Sequence, residues 1–360
     1  MKRLVLSIAA LVMGLGATAQ NVRPEWDVRF NSAIINDEFD ISKCILAPSG
    51  TLAALQLSPY AGIGFGDGHR VKAGFTVTKD FGTPGMKPEL EWAAWYQYTK
   101  GAFTLAAGVF PFSLTGGRYT TLIYSDAARF NDAHCDGLLL RWQHERSNYE
   151  IALDWCGKYG ETRREEFCLI SAGAGWVTPW LALCWEGSFH HYASCAAVQG
   201  VVDDHVLHPF IEFEFSSVLP LQRLEVSLGA VAGYHMDRLK EDLRTPLGAD
   251  AVVDIRKWNF GVKNEFYYGP SQTPFYHEQD AAGNEYGNSL YFRSPLWQIR
   301  QDGQIGMYDR LDAYWTKALN DYVKLGFHAV FHFDHLGLLG SQQLFQATVN
   351  LDHQRFSRNR

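Results

Sequence analysis

After residue 19 the chain has no run of eighteen apolar residues, so it carries no helix equipped to cross a bilayer. Basic residues are the minority: 32 Lys and Arg against 39 Asp and Glu leave a net charge of −7, which removes the broad positive footprint of a nucleic-acid binder. Cysteine is sparse, and Cys44, Cys135, Cys156, Cys168, Cys184 and Cys195 form no C-x-x-C pair, so neither a structural zinc site nor a thioredoxin-like redox motif is indicated. A G-x-S-x-G nucleophile elbow is also missing. The glycines Gly62, Gly64 and Gly66 run into Asp67-Gly68 with no helical pattern behind them, which makes a hairpin rather than a phosphate loop. No linker or shift of composition divides residues 20–360, which read as one domain.

What is present begins with an export signal. Lys2 and Arg3 precede the apolar run Leu4 to Gly16, and Ala17-Thr18-Ala19 supplies the small residues signal peptidase needs, so cleavage is expected after Ala19. Beyond it, alternation with a period of two dominates. Val71, Ala73, Phe75 and Val77 share one face against Arg70, Lys72, Gly74 and Thr76, and Val323 to Phe333 repeats the pattern near the end.

Fifteen such runs are readable, at about 26–35, 51–65, 69–79, 89–98, 102–112, 136–145, 147–157, 164–176, 180–191, 205–216, 221–235, 254–268, 304–316, 321–334 and 342–354. Their connections alternate long and short up to residue 253, as extracellular loops and periplasmic turns do in a membrane barrel. That order breaks at 269–303, and 289–299 is the candidate for a sixteenth strand. Aromatics gather near strand ends, as at Trp92, Trp95, Tyr96 and Tyr98, where rings sit at headgroup depth. The fold class expected is therefore all-β: a transmembrane antiparallel β-barrel of about sixteen strands, with fourteen as the alternative.

The Ala17-Thr18-Ala19/Gln20 signal, the alternating strands and a terminal strand closing near Phe356 together resemble the porin-like outer-membrane β-barrels of Gram-negative bacteria. Gly108-Val109-Phe110-Pro111-Phe112 and Asp154-Trp155 are similar to stretches in barrels of Bacteroidetes-type bacteria. The resemblance implies an outer-membrane channel for passive, selective diffusion of small polar solutes, needing no cofactor. The partners implied are outer-membrane lipid, those solutes and further copies of the chain in a homotrimer. The alternatives are a barrel acting as a hydrolase, or as an adhesin or receptor through its extracellular loops.

In a barrel, charges facing the lumen select solutes. The candidates are Arg70, Lys72, Glu89, Glu91, Arg141, Glu212, Glu214, Arg310, Asp312, His328, His332 and Asp334. Segment 113–135 is the third long loop, the one that folds into the lumen in porins; folded in that way it brings Asp126, Arg129, Asp132 and Asp136 toward a constriction, and the alternative is an ordinary exposed loop. If 180–191 and 205–216 form a hairpin, His190, His191, Asp204, His205 and His208 come together as candidate ligands for Zn²⁺ or Cu²⁺. Cys156 and Cys168 bracket a short loop on adjacent strands and form the candidate disulfide. No catalytic set stands out.

Overall fold

The computed structural model describes residues 22–352, except 41, 43, 45, 46, 48, 217, 218 and 301–303. The export signal and Phe356 lie outside the described residues. The strands in chain order are β1 (Arg23–Phe39), β2 (Gly50–Phe65), β3 (His69–Asp80), β4 (Glu89–Lys100), β5 (Phe103–Pro111) and β6 (His134–His144). They continue with β7 (Ser147–Gly157), β8 (Glu166–Thr178), β9 (Leu181–Tyr192), β10 (Val202–Glu214), β11 (Arg223–Asp237) and β12 (Asp242–Arg244). The last five are β13 (Leu247–Lys257), β14 (Phe260–Gly269), β15 (Gly306–Ala318), β16 (Val323–Asp334) and β17 (Gly337–Asp352). Neighbours pair antiparallel throughout, and β17 returns to β1, from Asp27↔Asp352 to Phe39↔Gly340, which closes the sheet. The three-residue β12 and the longer β13 both pair with β11 and form one stave, so the barrel has sixteen.

Closure removes the free edges of the sheet and lets neighbouring strands satisfy one another's backbone groups. The side chains sort as the alternation requires. Val71, Leu138, Ile151, Leu183, Leu207 and Leu228 stand exposed on the outside, whereas Thr76, Glu150, Glu186, Glu212 and Asp312 are buried within. This is the reverse of a water-soluble protein. Outward rings collect at both ends of the wall: Trp142, Tyr149, Trp180 and Trp258 at the short-turn end, Trp92, Trp155, Phe189 and Tyr234 at the long-loop end.

The sixteenth strand does not come from 289–299. The expected strand 254–268 straddles a turn, with β13 ending at Lys257 and β14 beginning at Phe260. Trp258 and Asn259 between them have φ of 50° and 70°, the pair of left-handed residues that a two-residue hairpin turn needs. Asn accepts that backbone readily, but Trp is not a turn residue, so the sequence reads straight through the corner. With the corner restored, short turns and long loops alternate through 270–305, and the last connection at the long-loop end, between β16 and β17, is a two-residue turn. Segment 270–305 becomes the seventh long loop, holding a helical turn at Gly287–Leu290 and a 3-10 turn at Pro295–Trp297.

Two loops fold inward. The third (112–133) is gripped by three carboxylates that β7, β9 and β10 aim across the lumen. Glu150 accepts from Gly116 N at 2.6 Å and Tyr119 OH at 2.8 Å, and Glu186 from Thr120 N at 2.7 Å and its hydroxyl at 2.6 Å. Glu212 pairs with Arg118 at 2.5 Å. On the opposite side Gln56 of β2 donates to the Phe130 carbonyl at 2.8 Å. The seventh loop lies against the third through Ser294 N→Thr121 O at 2.9 Å. It seats Trp297 edge-on to Tyr267 and Tyr308 of the wall.

Candidate active site

The wall opens near the long-loop end, where the β6–β7 ladder stops at Gly137↔Asp154. Strand β4 stays paired with β3 as far as Thr78↔Glu89, but its ladder to β5 stops at Ala94↔Val109. Gly108 sits at that limit with φ of 118°, and a Cβ there would stand 2.4 Å from the Ala94 carbonyl oxygen. Only glycine allows the two backbones so close in this conformation. Beyond it Pro111 lacks an N–H to continue a ladder, and the third loop turns inward. The result is a lateral notch between β4 and the β5–β6–β7 group, enclosing a cavity of about 610 Å³. Trp92 and Trp155, both outward-facing, flank its mouth, and Tyr124 and Asp132 of the third loop with Phe292 of the seventh line its inner side.

His134, the first residue of β6, lies on the notch wall and reaches back into the barrel. Its Nδ1 is 3.2 Å from Glu91 Oε2 on the free upper part of β4. A carboxylate only accepts, so Nδ1 carries the proton, and Nε2 is left as an acceptor. Two hydroxyls serve it: Tyr60 OH at 3.0 Å and Thr76 Oγ1 at 3.1 Å. Thr76 is also 2.8 Å from Ser58 Oγ and 3.2 Å from Tyr60 OH. These hydroxyls come from inward positions of β2 and β3. The set is therefore hydroxyl, imidazole and carboxylate in series, the arrangement that activates a hydroxyl nucleophile. His134 is buried, and the Glu91 side chain is 49% exposed.

The notch also gathers acidic side chains. Asp132, Asp136 and Asp154 line it together with Glu91, while His134 is the one basic side chain on that lining. Burial, and then the nearby charges of Asp154, Glu91 and Asp136, push the Asp132 carboxyl well above the usual range.

Of this set, Glu91 was expected at the lumen, and Asp132 and Asp136 near a constriction. Asp136 instead faces the notch, and Asp132 lines both the notch and an adjoining cavity on the lumen side. Asp126 reaches Arg310 at 3.7 Å across the lumen, and Arg129 donates to the Tyr119 carbonyl. His134, Thr76, Tyr60 and Ser58 are what sequence reasoning missed. Their alternation marks the hydroxyls as inward, but nothing in the spacing announces that His134, 58 positions beyond Thr76, returns to them.

Most of the other lumen candidates are engaged with neighbouring side chains or backbone groups. Arg70 meets Glu25 at 3.1 Å, Lys72 meets Asp27 at 2.7 Å, and Arg141 donates to the Leu114 carbonyl at 2.8 Å. Arg310 and His328 share Asp312 at 3.4 and 3.0 Å, and His332 bonds the Tyr308 hydroxyl at 2.9 Å. Glu214 and Asp334 accept backbone N–H groups of Ser216 and Leu336 at their strand ends, and Glu89 stands exposed at the rim.

The histidine cluster does not assemble. The β9–β10 register sets Asp204 against His190 and Asp203 against His191, two residues off the expected pairing. Alternation then sends His190, Asp204 and His208 inward and His191 and His205 outward. His190 bonds Glu166 at 2.8 Å, His191 bonds Asp203 at 2.7 Å, and His208 lies between Glu186 at 3.0 Å and Asp250 at 2.8 Å. Among the described residues no group of three or more His, Cys, Asp or Glu has a metal-holding arrangement. Cys156 and Cys168 are both free thiols, Cys168 pairing in register with Asp154 while Cys156 falls in a register shift of β7.

Residues 29–176, under half of the chain, match the family described as lipid A 3'-O-deacylase-type. That stretch runs from β1 to β8 and contains Ser58, Tyr60, Thr76, Glu91 and His134. No curated protein matches the chain. Among solved structures, a loop L8 deletion mutant of OmpT, an outer membrane protein of Vibrio cholerae, aligns over 92% of this chain and 100% of its own, with a TM-score of 0.56 and 6% identity. OccK2 (OpdF) of Pseudomonas aeruginosa aligns over 92% and 98%, with 0.53 and 9%, and OpdQ of the same organism over 92% and 99%, with 0.51 and 8%. At such identities the likeness is one of fold: the chain has the closed antiparallel barrel of these outer-membrane proteins.

Proposed function

We propose that the chain is an outer-membrane hydrolase that removes an acyl chain from a lipid A-type glycolipid, with the notch as its active site. The observation that carries this reading is the Thr76–His134–Glu91 series beside a side opening in the barrel wall, within the stretch that matches the deacylase-type family. With the long loops outside the cell, the notch lies at the level of the outer leaflet, where such a lipid resides.

Both ring nitrogens of His134 are already engaged, so the proton it can accept comes from a hydroxyl. Thr76 is the one supported best, because Ser58 and Tyr60 are both within reach to donate to its oxygen, which leaves its own proton for Nε2. The Thr76 oxygen attacks the acyl carbonyl as His134 takes its proton. The imidazolium, steadied by Glu91, returns that proton to the departing sugar oxygen. Water, activated by His134, then releases the fatty acid from Thr76 and restores its hydroxyl.

Passive diffusion through the lumen ranks second. Polar cavities of about 410 and 430 Å³ remain there, but the third and seventh loops occupy the lumen at the long-loop end, and conduction leaves the His134 series without a task. The test is to incubate the refolded barrel with lipid A in mixed micelles and follow its mass. Loss of one acyl chain and appearance of free fatty acid is expected; an unchanged lipid overturns the proposal.

A further inference from the structure

The hydrolase reading names a lipid but not the part of it that the notch recognises. Four carboxylates, Glu91, Asp132, Asp136 and Asp154, line the cavity, and no Lys or Arg stands among the lining side chains. Arg163, beyond the rim, donates to the Cys156 carbonyl at 3.2 Å. Asp154 spends one oxygen on Asp136 N at 2.7 Å, and Glu91 spends one on His134. The remaining lone pairs make the notch rich in acceptors.

An independent observation points to a ligand. Tyr124, on the inner side of the same cavity, is 2% exposed, and its hydroxyl has no hydrogen-bond partner among the described residues. Its ring is held between Phe112, edge-on, and Phe292, stacked at 5.9 Å. A buried hydroxyl left unsatisfied costs on the order of 1–3 kcal/mol, so a native site that keeps one fixed is complete only when something occupies it.

The occupant must bring donors and must not bring negative charge. Sugar hydroxyls and amide N–H groups answer the first requirement, and Trp92 and Trp155 at the mouth offer flat apolar faces to the C–H side of a sugar ring. A phosphate fails the second, since bringing a dianion among these carboxylates in a partly desolvated cavity is repulsive. The cavity, about 610 Å³, falls within the usual range for a small-molecule site.

We infer that the notch is a saccharide-binding site that takes the unphosphorylated part of a glycolipid headgroup and discriminates against phosphate. The inference rests on the hydrolase reading for its lipid, but not for its chemistry.

The experiment measures binding to the Thr76→Val barrel in micelles, so that turnover plays no part. Two probes are compared, an acylated glucosamine disaccharide without phosphate and its bisphosphorylated counterpart. Binding is read from quenching of tryptophan fluorescence that disappears with Trp92→Phe and Trp155→Phe. The neutral probe is expected to bind at least tenfold more tightly. Asp136→Asn or Asp154→Asn, each checked for an intact barrel by heat-modifiable migration, should narrow that gap, and raising the salt should narrow it as well. Equal or tighter binding of the bisphosphorylated probe, or a gap indifferent to both substitutions and to salt, overturns the inference. Discrimination without any deacylation by the unmodified chain would leave the site standing and remove the hydrolase reading instead.

Discussion

Arg293 of the seventh loop makes two hydrogen bonds to Asp204 of β10, at 3.0 and 2.7 Å, and spends its other donors on the Leu122 and Gln272 carbonyls. One buried guanidinium thereby joins the barrel wall, the third loop and the seventh. His235, 2.6 Å from the same carboxylate, completes the contact. Replacing Arg293 by Met removes the main partner of a buried charge, a loss on the order of 3–5 kcal/mol. The expected result is faster tryptic cleavage within 270–305 and larger single-channel conductance in a planar bilayer. Asp204→Asn added to Arg293→Met should recover part of the protease resistance.

The two infolded loops should respond to pH in opposite directions. Burial alone would raise the Asp280 carboxyl, but the Asn284 backbone N–H, the Arg164 guanidinium at 2.7 Å and further donors outweigh it and hold the group below its usual range. A depressed carboxyl contributes stability above its unfolded value, about 4, and that contribution is lost as the pH falls through its folded value. Asp132, raised by burial and by neighbouring carboxylates, behaves in reverse: its contribution is present at acid pH and is lost as the pH rises toward its folded value. Hydrogen exchange from pH 3 to 8 should show the seventh loop around Asp280 more protected on the neutral side and the third loop around Asp132 more protected on the acid side. Asp132→Asn should flatten the second profile and leave the first.

Gly108→Ala tests how the notch is built. The substitution places a Cβ 2.4 Å from the Ala94 carbonyl at a φ of 118°, a strain on the order of 1–3 kcal/mol or more. The expected outcome is a barrel that melts at lower temperature. Ala107→Gly, at the neighbouring outward position, should not reproduce this.

The barrel was legible because its pattern is local: a period of two survives in almost every strand. For the third loop the sequence left an infolded and an exposed course open, and Glu150, Glu186 and Glu212, distant in the chain, hold it inside. What escaped was fixed by contacts distant in sequence or by unusual backbone. Trp258-Asn259 hides a corner because its left-handed pair lacks the usual glycine, and this one misreading turned the seventh loop into a strand candidate. The histidine cluster failed on a register error of two residues between β9 and β10, followed by alternation that sends its members to opposite faces. His134 was invisible as a functional residue because its partners lie on β2, β3 and β4. The broken β4–β5 ladder that exposes it is a feature of three dimensions.

Within the series, Thr76→Ser should retain deacylation, since the hydroxyl remains near Nε2. Thr76→Val keeps the shape and removes the nucleophile. Glu91→Gln leaves His134 without its charged partner and should lower the rate by a smaller factor than loss of Thr76 or His134. Rates of fatty-acid release from lipid A at neutral pH for these three variants would rank the roles, and equal rates for Thr76→Ser and Thr76→Val would remove Thr76 from the mechanism.

The most direct measurement of the central claim compares fatty-acid release from lipid A by the unmodified barrel and by His134→Asn, both shown to be folded by heat-modifiable migration. Loss of a general base from such a series costs on the order of 10³-fold or more, and a fall of that size is expected. Release by His134→Asn at the unmodified rate would contradict it.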